Sequence, residues 1–443
     1  MPGPELPPFP EDKRLLKSVD TVVIGGGIVG ASTALELASR GVSVLLCEKG
    51  RIGGEQSSRN WGWVRLSQRD PREIPLMLEA MSIWQGLEAR TGYQTGYHRC
   101  GSLFVANTAK RRAHLQRWAQ NLQDFEAASE MVSGDALQMM LPGHQGQIQS
   151  ALSTPMDGRA EPQWATHAIA MGARNAGAAV ITNCAVRSVD IQAGQIAGVI
   201  TERGRVACSS VVVAGGAWSR LFLGNAGVSL PQLKVLNSVL RCSPVASGPD
   251  VALWGDGYAL RKRADGGYTV AKGTENVVDI VPDSLRLGLK FLPAFLSEWR
   301  SLRFRLSGRW QDEAAQARCW TPDQETAFEQ CRILDPEPSQ SALKSGWTAA
   351  QQAFPVLQQA DVVQSWAGLI DVMPDAIPVI SPVDDLPGLF ISTGYSGHGF
   401  GIGPGAGRLM ADMVTGAPPI VDPHAFRLSR YTDGSRVRLD SGT

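Results

Sequence analysis

The first strongly patterned stretch of the chain alternates an apolar strand, a glycine turn, a helix and a second apolar strand. Residues 22–24 predict the first strand, residues 31–39 a helix of small side chains, and residues 42–47 the second strand. Residues 211–213, three consecutive valines, predict a further strand buried on both faces. Continuous apolar strands of this kind are typical of a parallel sheet covered on both sides.

The rest of the chain mixes helical and strand patterns. Beyond residue 226 alternating strands with turn signals predict an antiparallel sheet, including a hairpin of residues 258–263 and 268–273 around the turn at 264–267. The other predicted elements are helices at 71–90, 110–125, 164–175 and 408–415, strands at 102–106, 179–182, 186–191 and 195–201, a loop at 151–162, and mostly helix over 284–330. In that last stretch a solvated face explains Arg300, Arg303, Arg305 and Arg309 better than a ligand patch does.

The glycine turn has the spacing of a dinucleotide site. Gly25, Gly27 and Gly30 let the backbone approach a pyrophosphate, whose charge the amides at the start of the next helix would meet. Glu48, which closes the second strand, is placed to accept both hydrogen bonds of an adenosine ribose. The alternative is a tight strand-to-helix turn that binds nothing.

Composition excludes several other classes. The 443 residues carry 42 basic and 42 acidic side chains, so no net field favours nucleic acid. The seven cysteines are scattered without a C-x-x-C pair, which favours neither a disulfide framework nor a metal site. Residues 1–17 read as a flexible lead-in rather than a signal peptide, and the apolar stretch 19–38 is too interrupted to span a membrane. We therefore expect a cytoplasmic protein.

Three further segments sharpen the nucleotide prediction. They are the small polar loop 55–62, the strand and glycines at 211–218, and residues 392–400, which end in Ser-Gly-His-Gly-Phe and lead into a glycine-rich helix. Together they resemble the sarcosine oxidase, glycine oxidase and D-amino-acid dehydrogenase family of FAD-dependent amine oxidoreductases, over about residues 20–416. The resemblance implies an α/β fold in which a Rossmann-like FAD-binding domain is interleaved with an α+β substrate domain built on an antiparallel sheet.

The implied FAD-binding domain is discontinuous, with residues 18–100, 150–225 and 366–420. The substrate domain would then hold 101–149 and 226–365, and 1–17 and 421–443 would be tails. The predicted cofactor residues are Gly25, Gly27, Ile28, Val29, Gly30, Glu48, Lys49, Ser57, Ser58, Arg59, Asn60, Gly62, Val186, Ala214, Gly215, Trp218, Gly397, His398, Gly399, Phe400 and Gly401. No covalent attachment is evident, so we expect FAD to be dissociable.

The Ser-Gly-His-Gly-Phe loop has a physical rationale of its own. A reduced flavin carries negative charge along its N1 and C2 oxygen edge, and a helix that starts in glycines offers bare amides and about half a positive charge. The amides of Gly399 and Phe400 are the candidates for this contact. His398 is either a structural residue that orients the loop or a proton carrier.

The substrate side of the resemblance is less complete. Arg65 is the nearest match to the arginine that relatives place over the flavin or on the substrate carboxylate, and Arg69 is its alternate. Two usual carboxylate anchors are missing: residues 368–371 read Gly-Leu-Ile-Asp where many relatives have a G-x-R-P segment, and Gly401 stands where sarcosine oxidases have a lysine. Asp371 either receives a cationic substrate group or caps a turn.

Three more residues are candidates for the substrate domain's contribution. Lys272 lies one position from the lysine that assists reaction with oxygen in sarcosine oxidases, and one position on a strand reverses the face. Tyr258 and Tyr268, on the two arms of the predicted hairpin, would close over a substrate unless they serve only as packing.

The resemblance implies oxidation of the C–N bond of an amino acid or secondary amine. The α-hydrogen would leave as hydride to flavin N5, the imine would hydrolyse, and oxygen would reoxidise the flavin. An N-substituted amino acid, such as an opine or iminodiacid, fits the altered anchors. Three rivals remain: a dehydrogenase that passes electrons to a partner protein or quinone, an NADPH-dependent flavin hydroxylase, and a subunit of a complex whose flavin only relays electrons. A homo-oligomer is also possible.

Overall fold

The computed structural model describes residues 3–10, 12, 14–122, 124–125, 127–273, 275–299 and 301–439, with Glu298 described by its backbone alone. The strands are β1 Thr21–Ile24, β2 Val44–Cys47, β3 Trp63–Val64, β4 Ser102–Val105, β5 Glu130–Val132, β6 Ala151–Thr154, β7 Gly158–Arg159, β8 Ala179–Ile181, β9 Val186–Gln192, β10 Gln195–Thr201, β11 Gly204–Ala207, β12 Ser210–Val213, β13 Leu233–Cys242, β14 Ala252–Trp254, β15 Ala259–Lys262, β16 Tyr268–Ala271, β17 Asn276–Asp279, β18 Leu302–Arg305, β19 Val362–Val372, β20 Val379–Pro382 and β21 Leu389–Thr393.

The α-helices alternate with these strands. They are α1 Ile28–Ser39, α2 Gln56–Arg59, α3 Ile74–Thr91, α4 Ala109–Gln120, α5 Gly134–Met140, α6 Pro162–Asn175, α7 Ser219–Asn225, α8 Pro282–Glu298, α9 Arg309–Ala315, α10 Ala327–Gln330, α11 Gln340–Ala353 and α12 Gly399–Thr415.

A six-stranded sheet in the order β20-β21-β12-β1-β2-β8 contains the strands on both sides of the glycine turn. Its strands run parallel except β20, which pairs antiparallel with β21. Val22 of the central strand lies opposite Val211 on one side and Leu45 on the other. All three side chains are fully buried in one apolar cluster on the same face of the sheet. The alternate positions Val23, Leu46 and Val212 are buried on the other face, in the cluster that includes α1, α6 and α12. In sheets of this type ligands bind where the carboxyl ends of the strands meet.

The second large sheet has ten strands and is mixed, with β19 lying beside β13 along nearly its whole length. The predicted hairpin is present as β15 and β16, which pair antiparallel with Ala259 opposite Ala271. The predicted fold class is confirmed. Strand β6 belongs to this sheet, although the predicted boundary at residue 150 assigned it to the other domain.

Helix α12 starts nine residues earlier than the sequence predicts, at Gly399 instead of Arg408. Glycine lowers helix propensity, which hid this first half. The glycines serve packing: a Cβ at Gly403 would lie 3.0 Å from Ile28, and one at Gly407 would overlap Ser32 of α1. Close packing of α12 against α1 therefore offsets the low helix propensity of these glycines.

Two predicted stretches were wrong. Residues 151–162 are not a loop: β6 pairs with both β4 and β5, and these tertiary hydrogen bonds decide a segment without a strong local pattern. The predicted helical stretch 284–330 is only partly helical: α8 ends at residue 298, β18 then pairs with β17, and the short helices α9 and α10 follow.

The arginines of this stretch serve structural ion pairs. Arg305 and Arg309 bind the fully buried carboxylate of Asp279, and Arg303 lies on exposed β18. These contacts favour neither of the two sequence interpretations of these arginines, a solvated helical face or a ligand-binding patch. Arg300 lies outside the described residues.

The segment before β1 is not a loose lead-in. Asp12 forms two hydrogen bonds with the backbone of β8: its N–H donates to Val180 O at 3.0 Å, and its side-chain carboxylate accepts the Val180 N–H at 2.9 Å. At the other end, Arg430 is buried and binds Asp375. In the part of the chain that the structure describes, no helix has the length and apolar character needed to cross a membrane.

Candidate active site

One elongated cavity of about 350 Å³ runs from the glycine turn after β1 to the start of α12. The turn is tight: Gly25 has φ +109°, and a Cβ there would lie 2.5 Å from Ala214 O. A Cβ at Gly30 would overlap Gly25 O, so Gly30 supports the turn without lining the cavity. Backbone alone can pass here, which is what close approach to a pyrophosphate requires.

Glu48 closes β2 as predicted and lies in the cavity wall. Its Oε2 accepts the Gly26 N–H at 2.6 Å and its Oε1 accepts the Gly50 N–H at 2.7 Å. Burial raises the pKa of Glu48, with Lys49 and the two amides opposing the rise. A carboxylate oxygen has two acceptor sites, so each retains one for the two hydroxyls of a ribose.

Lys49 and Trp218 form a fixed wall beside Glu48. Lys49 Nζ lies 4.6 Å from the Trp218 ring centre, and both donate to the carboxylate of Glu55, the lysine at 2.6 Å. Lys49 also donates to Cys331 O at 2.7 Å. The predicted residues Ile28, Val29, Val186, Ala214 and Gly215 line the same end of the cavity.

The loop around α2 closes the cavity from the side. Ser57 Oγ accepts the Ile28 N–H at 2.9 Å, which ties this loop to the first turn of α1. Arg59 and Asn60 also line the cavity. Ser58 does not; it is fully buried behind them. Gly62, also predicted as a cofactor residue, lies outside the wall at φ +77°.

The amino end of α12 forms the opposite end of the cavity. The positive φ of Ser396 (52°) and Gly397 (88°) turns the chain into the helix, and a Cβ at Gly399 would lie 2.9 Å from Tyr395 Cβ. No described side chain caps this helix. Its first-turn amides, which lie in the cavity wall, are therefore available to a ligand. All five predicted residues from Gly397 to Gly401 line the cavity. This arrangement supplies the bare amides and the partial positive charge expected for the electron-rich edge of a flavin.

Arg65 differs from the other buried arginines. Arg59, Arg69, Arg261 and Arg430 each form an ion pair with a carboxylate. Arg65 forms none within the described residues: it donates to Ser67 O and lies 5.7 Å from the Phe104 ring centre. Burial, and then the charge of Arg69, lower the pKa of Arg65 to about 10, so it is charged at neutral pH. Asp157 and Glu73 act on Arg65 only at a distance and partly oppose this lowering, and among the described residues no carboxylate pairs with it directly. A buried cation of this kind in a cavity wall favours an anionic ligand.

Arg69, the alternate anchor, is committed elsewhere. Its Nη1 lies 3.3 Å from Glu73 Oε1, and its Nη2 donates to His398 O at 2.8 Å. Burial alone would raise the pKa of Glu73, but Arg69, His398 and Arg65 together lower it. Arg69 therefore holds the Ser-Gly-His-Gly-Phe loop, residues 396–400, in place through the His398 carbonyl.

The His398 ring lies in the cavity wall with a buried, unpartnered Nδ1. Glu73 Oε2 is 3.7 Å from Nδ1, beyond hydrogen-bond distance. Burial lowers the pKa of His398 despite the nearby carboxylate, so the ring is neutral at pH 7. The geometry is compatible with both predicted roles, orientation of the loop and proton transfer.

Asp371 caps a turn. Its carboxylate accepts the Gly394 N–H at 2.7 Å, the Gln56 amide at 2.8 Å and the Thr393 hydroxyl at 3.2 Å. Burial raises its pKa, and these donors oppose the rise. Of the two sequence interpretations, the contacts favour the turn cap over a receptor for a cationic substrate group.

Three predicted substrate residues lie elsewhere. Tyr268 is buried in the core of the second sheet and donates to Pro249 O at 2.9 Å, and Tyr258 packs edge-on against Phe354 in the same core. Lys272 points away from the cavity and binds Glu275 at 2.6 Å, while its neighbour Gly273 lines the wall. The expectation that the tyrosines flank a substrate is corrected, because sheet burial takes both rings. The one-residue offset of Lys272 likewise puts it on the other face.

Sequence reasoning missed the aromatic wall of the cavity. Trp61 and Trp254 lie 5.1 Å apart by ring centres, Trp63 lies 5.8 Å from Trp61, and Phe104 stacks on Trp254 at 5.6 Å. The Trp-x-Trp pattern directly after the polar loop was the available signal. Trp254 and the nearby Asn237 and Asn276 come from distant strands, and nothing local marks them.

The fold and site together define a flavin-dependent oxidoreductase: the cavity offers a glycine turn and ribose acceptor at one end and free helix amides at the other. A family model described as FAD dependent oxidoreductase matches residues 20–413. The chain belongs to this family, and FAD is its cofactor.

Individual relatives agree with the family. The structure of L-amino acid deaminase from Proteus myxofaciens is similar with a TM-score of 0.92 and 33% identity, over 97% of this chain and 96% of that one. Glycine oxidase of Pseudomonas putida is 25% identical over 92% of this chain and 98% of its own length. 4-methylaminobutanoate oxidase (formaldehyde-forming) of Paenarthrobacter nicotinovorans is 27% identical over 94% of this chain, which spans only 46% of that protein.

Proposed function

We propose that the protein oxidises the CH–NH bond of an amino acid or N-substituted amino acid to an imine, which then hydrolyses in water. FAD, when bound, supplies the oxidant that takes up the hydride. The names of the relatives support this proposal, since they describe an amino acid deaminase, an amino acid oxidase and an N-methyl amino acid oxidase.

Arg65 carries the proposal. It is the buried guanidinium that the described chain leaves without a carboxylate, and it lies in the same cavity wall as the amides of the flavin loop. A planar guanidinium can meet a carboxylate with two parallel hydrogen bonds and so fix the orientation of the substrate's α-carbon. The solved L-amino acid deaminase holds anthranilate, a flat aromatic carboxylate, which is the kind of anion that Arg65 and the aromatic wall would accept.

The remaining groups of the site orient the substrate and exclude water. Trp61, Trp63 and Trp254 present an apolar wall, which keeps the reacting amine away from bulk solvent. The acids in the cavity wall, Glu48, Glu55 and Asp371, are all engaged by the chain's own donors. A substrate that arrives as an uncharged amine needs no strong base, and this scheme matches the residues present.

One observation favours a second candidate for the electron acceptor. Lys272, the candidate for promoting reaction with oxygen, is bound to Glu275 away from the cavity. A dehydrogenase that passes electrons to a partner protein or quinone is therefore the second candidate function, as an alternative to an oxidase. Peroxide formed in step with substrate during aerobic turnover selects the oxidase, and turnover with an artificial quinone but without peroxide selects the dehydrogenase.

The test of the proposed activity is anaerobic reduction of the bound flavin. The FAD-loaded protein is mixed with amino acids of both configurations, N-alkyl amino acids and opines, and the visible flavin band is followed. We expect at least one member to bleach the band while the corresponding α-hydroxy acid does not. Bleaching by NADPH alone, or by none of the amines, contradicts the proposal.

A further inference from the structure

Trp61, Asn237 and Asn276 form a hydrogen-bonded row along the cavity wall. Trp61 Nε1 donates to Asn237 Oδ1 at 3.1 Å, and Asn237 Nδ2 donates to Asn276 Oδ1 at 3.2 Å. The three side chains come from a loop, from β13 and from β17, so only the folded cavity brings them together.

The tryptophan fixes the direction of the whole row. An indole N–H can only donate, so the Asn237 atom that faces it must be the oxygen. Asn237 then turns its NH₂ group toward Asn276 and occupies the Asn276 oxygen. Asn276 is left with its own NH₂ group, for which the described chain supplies no acceptor. The row therefore ends at the cavity in two N–H donors.

The aromatic wall connects this row to Arg65. The Arg65 guanidinium lies over Phe104, Phe104 stacks on Trp254, and Trp254 packs against Trp61, whose indole N–H starts the row. The cavity therefore has a cation at one end of an apolar wall and amide donors at the other. A ligand that lies along the wall could therefore accept hydrogen bonds at both ends if it carries an oxygen acceptor at each.

We propose that Asn276 determines substrate specificity by donating to a second acceptor group of the substrate, with Trp61 and Asn237 as positioning residues. This inference rests on the proposed function. The substrate is then an amino acid whose own carboxylate meets Arg65 and whose side chain or N-substituent ends in a carboxylate, carboxamide or carbonyl oxygen beyond an apolar spacer. Glycine and sarcosine lack that second group.

Matched substrate pairs test the proposal on the FAD-loaded enzyme. One pair is N-(4-carboxybutyl)glycine and N-pentylglycine, and the other is 2-aminoadipate and norleucine; only the first member of each carries the distal acceptor. We expect wild type to favour it in kcat/KM by about 10-fold to 100-fold, the range for hydrogen bonds to a charged acceptor. Asn276→Ala abolishes that preference, chiefly by raising KM for the acceptor-bearing member of each pair. Asn276→Asp reverses it, because a carboxylate repels the acceptor.

The positioning roles have a separate readout. Trp61→Phe keeps an aromatic ring but removes the N–H, so it should lower the preference, and the double variant with Asn276→Ala should be no worse than Asn276→Ala alone. The matched controls Asn107→Ala and Trp320→Phe each remove a hydrogen bond outside the cavity and should leave the preference unchanged.

An unchanged preference in Asn276→Ala overturns the inference, as does a wild type without preference. Additive losses in the double variant overturn the positioning roles. If no substrate of either pair or of the wider amine panel reduces the wild-type flavin, the proposed function itself fails.

Discussion

The two ends of the cavity differ in how far the chain satisfies its own polar groups. At the adenylate end, Glu48, Lys49 and Glu55 are tied to backbone and to one another. At the other end, within the described part of the chain, Arg65 forms no ion pair with a carboxylate, and the ring nitrogens Trp63 Nε1 and His398 Nδ1 are buried without a hydrogen-bond partner. Unsatisfied buried polar groups are costly, and a fold retains them where a ligand completes them. This difference supports the proposal that the first end holds the adenylate part of FAD and that the second end receives the substrate beside the flavin.

The largest expected effect breaks the adenylate end. Gly25→Ala puts a side chain 2.5 Å from Ala214 O on a residue with φ +109°, so the turn must move and FAD should be lost almost completely. Bound FAD per purified chain measures this. Gly86→Ala is the control, because nothing lies within 4 Å of its Cβ and alanine favours a helix interior. A folded Gly25→Ala protein with full FAD content would contradict the assignment of this end.

Next in size is a stability contrast between the two neighbouring arginines. Arg69→Met leaves the buried Glu73 without its ion-pair partner, so the free energy of unfolding should fall by about 3–5 kcal/mol. Arg65→Met removes a buried cation that has no carboxylate and should change the unfolding free energy by less than about 1 kcal/mol. Denaturant unfolding of the FAD-loaded variants compares them. Equal losses would show that Arg65 is as structural as Arg69.

The activity of the Arg65→Met variant should fall strongly although its stability changes little. If Arg65 holds the substrate carboxylate, Arg65→Met should remove about 2–4 kcal/mol of transition-state stabilisation, which lowers kcat/KM roughly 30-fold to 1,000-fold. Steady-state kinetics on whichever amine reduces the flavin fastest gives the value. A loss below threefold would remove Arg65 from the substrate site.

A pH titration sharpens the role of Arg65 further. Its pKa is lowered to about 10, so its charge is fully present well below that pH and is lost as the pH rises through it. Binding of benzoate, a flat carboxylate without an amine, should therefore weaken above about pH 10 in wild type. In Arg65→Met the binding should already be weak and should show no such step. The flavin spectrum in a benzoate titration at each pH measures the dissociation constant.

The smallest effect concerns Lys272. Because its side chain binds Glu275 outside the cavity, Lys272→Met should leave anaerobic flavin reduction within about twofold of wild type, as is usual for a part-exposed ion pair. Stopped-flow reduction followed by reoxidation separates the two half-reactions. A large drop in the rate of reoxidation by oxygen would restore the role that the sequence suggested.

The glycine turn, the strands beside it and the position of Glu48 could be predicted from the sequence because these features are local. The glycines, the strands before and after them and Glu48 lie within one βαβ unit, and each residue type is required by backbone geometry or by a hydrogen bond. The same holds for Gly397–Gly401, which lie in one continuous stretch of the wall.

The substrate end resisted prediction because its parts are not local. Trp254, Asn237 and Asn276 reach the cavity through pairings of the ten-stranded sheet, and no spacing in the sequence encodes those pairings. Tyr258 and Tyr268 show the converse: a correctly predicted hairpin does not say which of its faces meets the core. The one-residue offset of Lys272 was already visible in the sequence, and in the structure Gly273 rather than Lys272 lines the cavity.

A crystal structure of the FAD-loaded protein with a bound aromatic carboxylate, such as anthranilate, tests the central claim most directly. The account predicts the adenosine ribose on Glu48, the N1 and C2 oxygen edge of the flavin against the amides of Gly399 and Phe400, and the carboxylate within hydrogen-bond distance of the Arg65 guanidinium. A carboxylate bound away from Arg65, or a flavin ring that does not meet the start of α12, would contradict it.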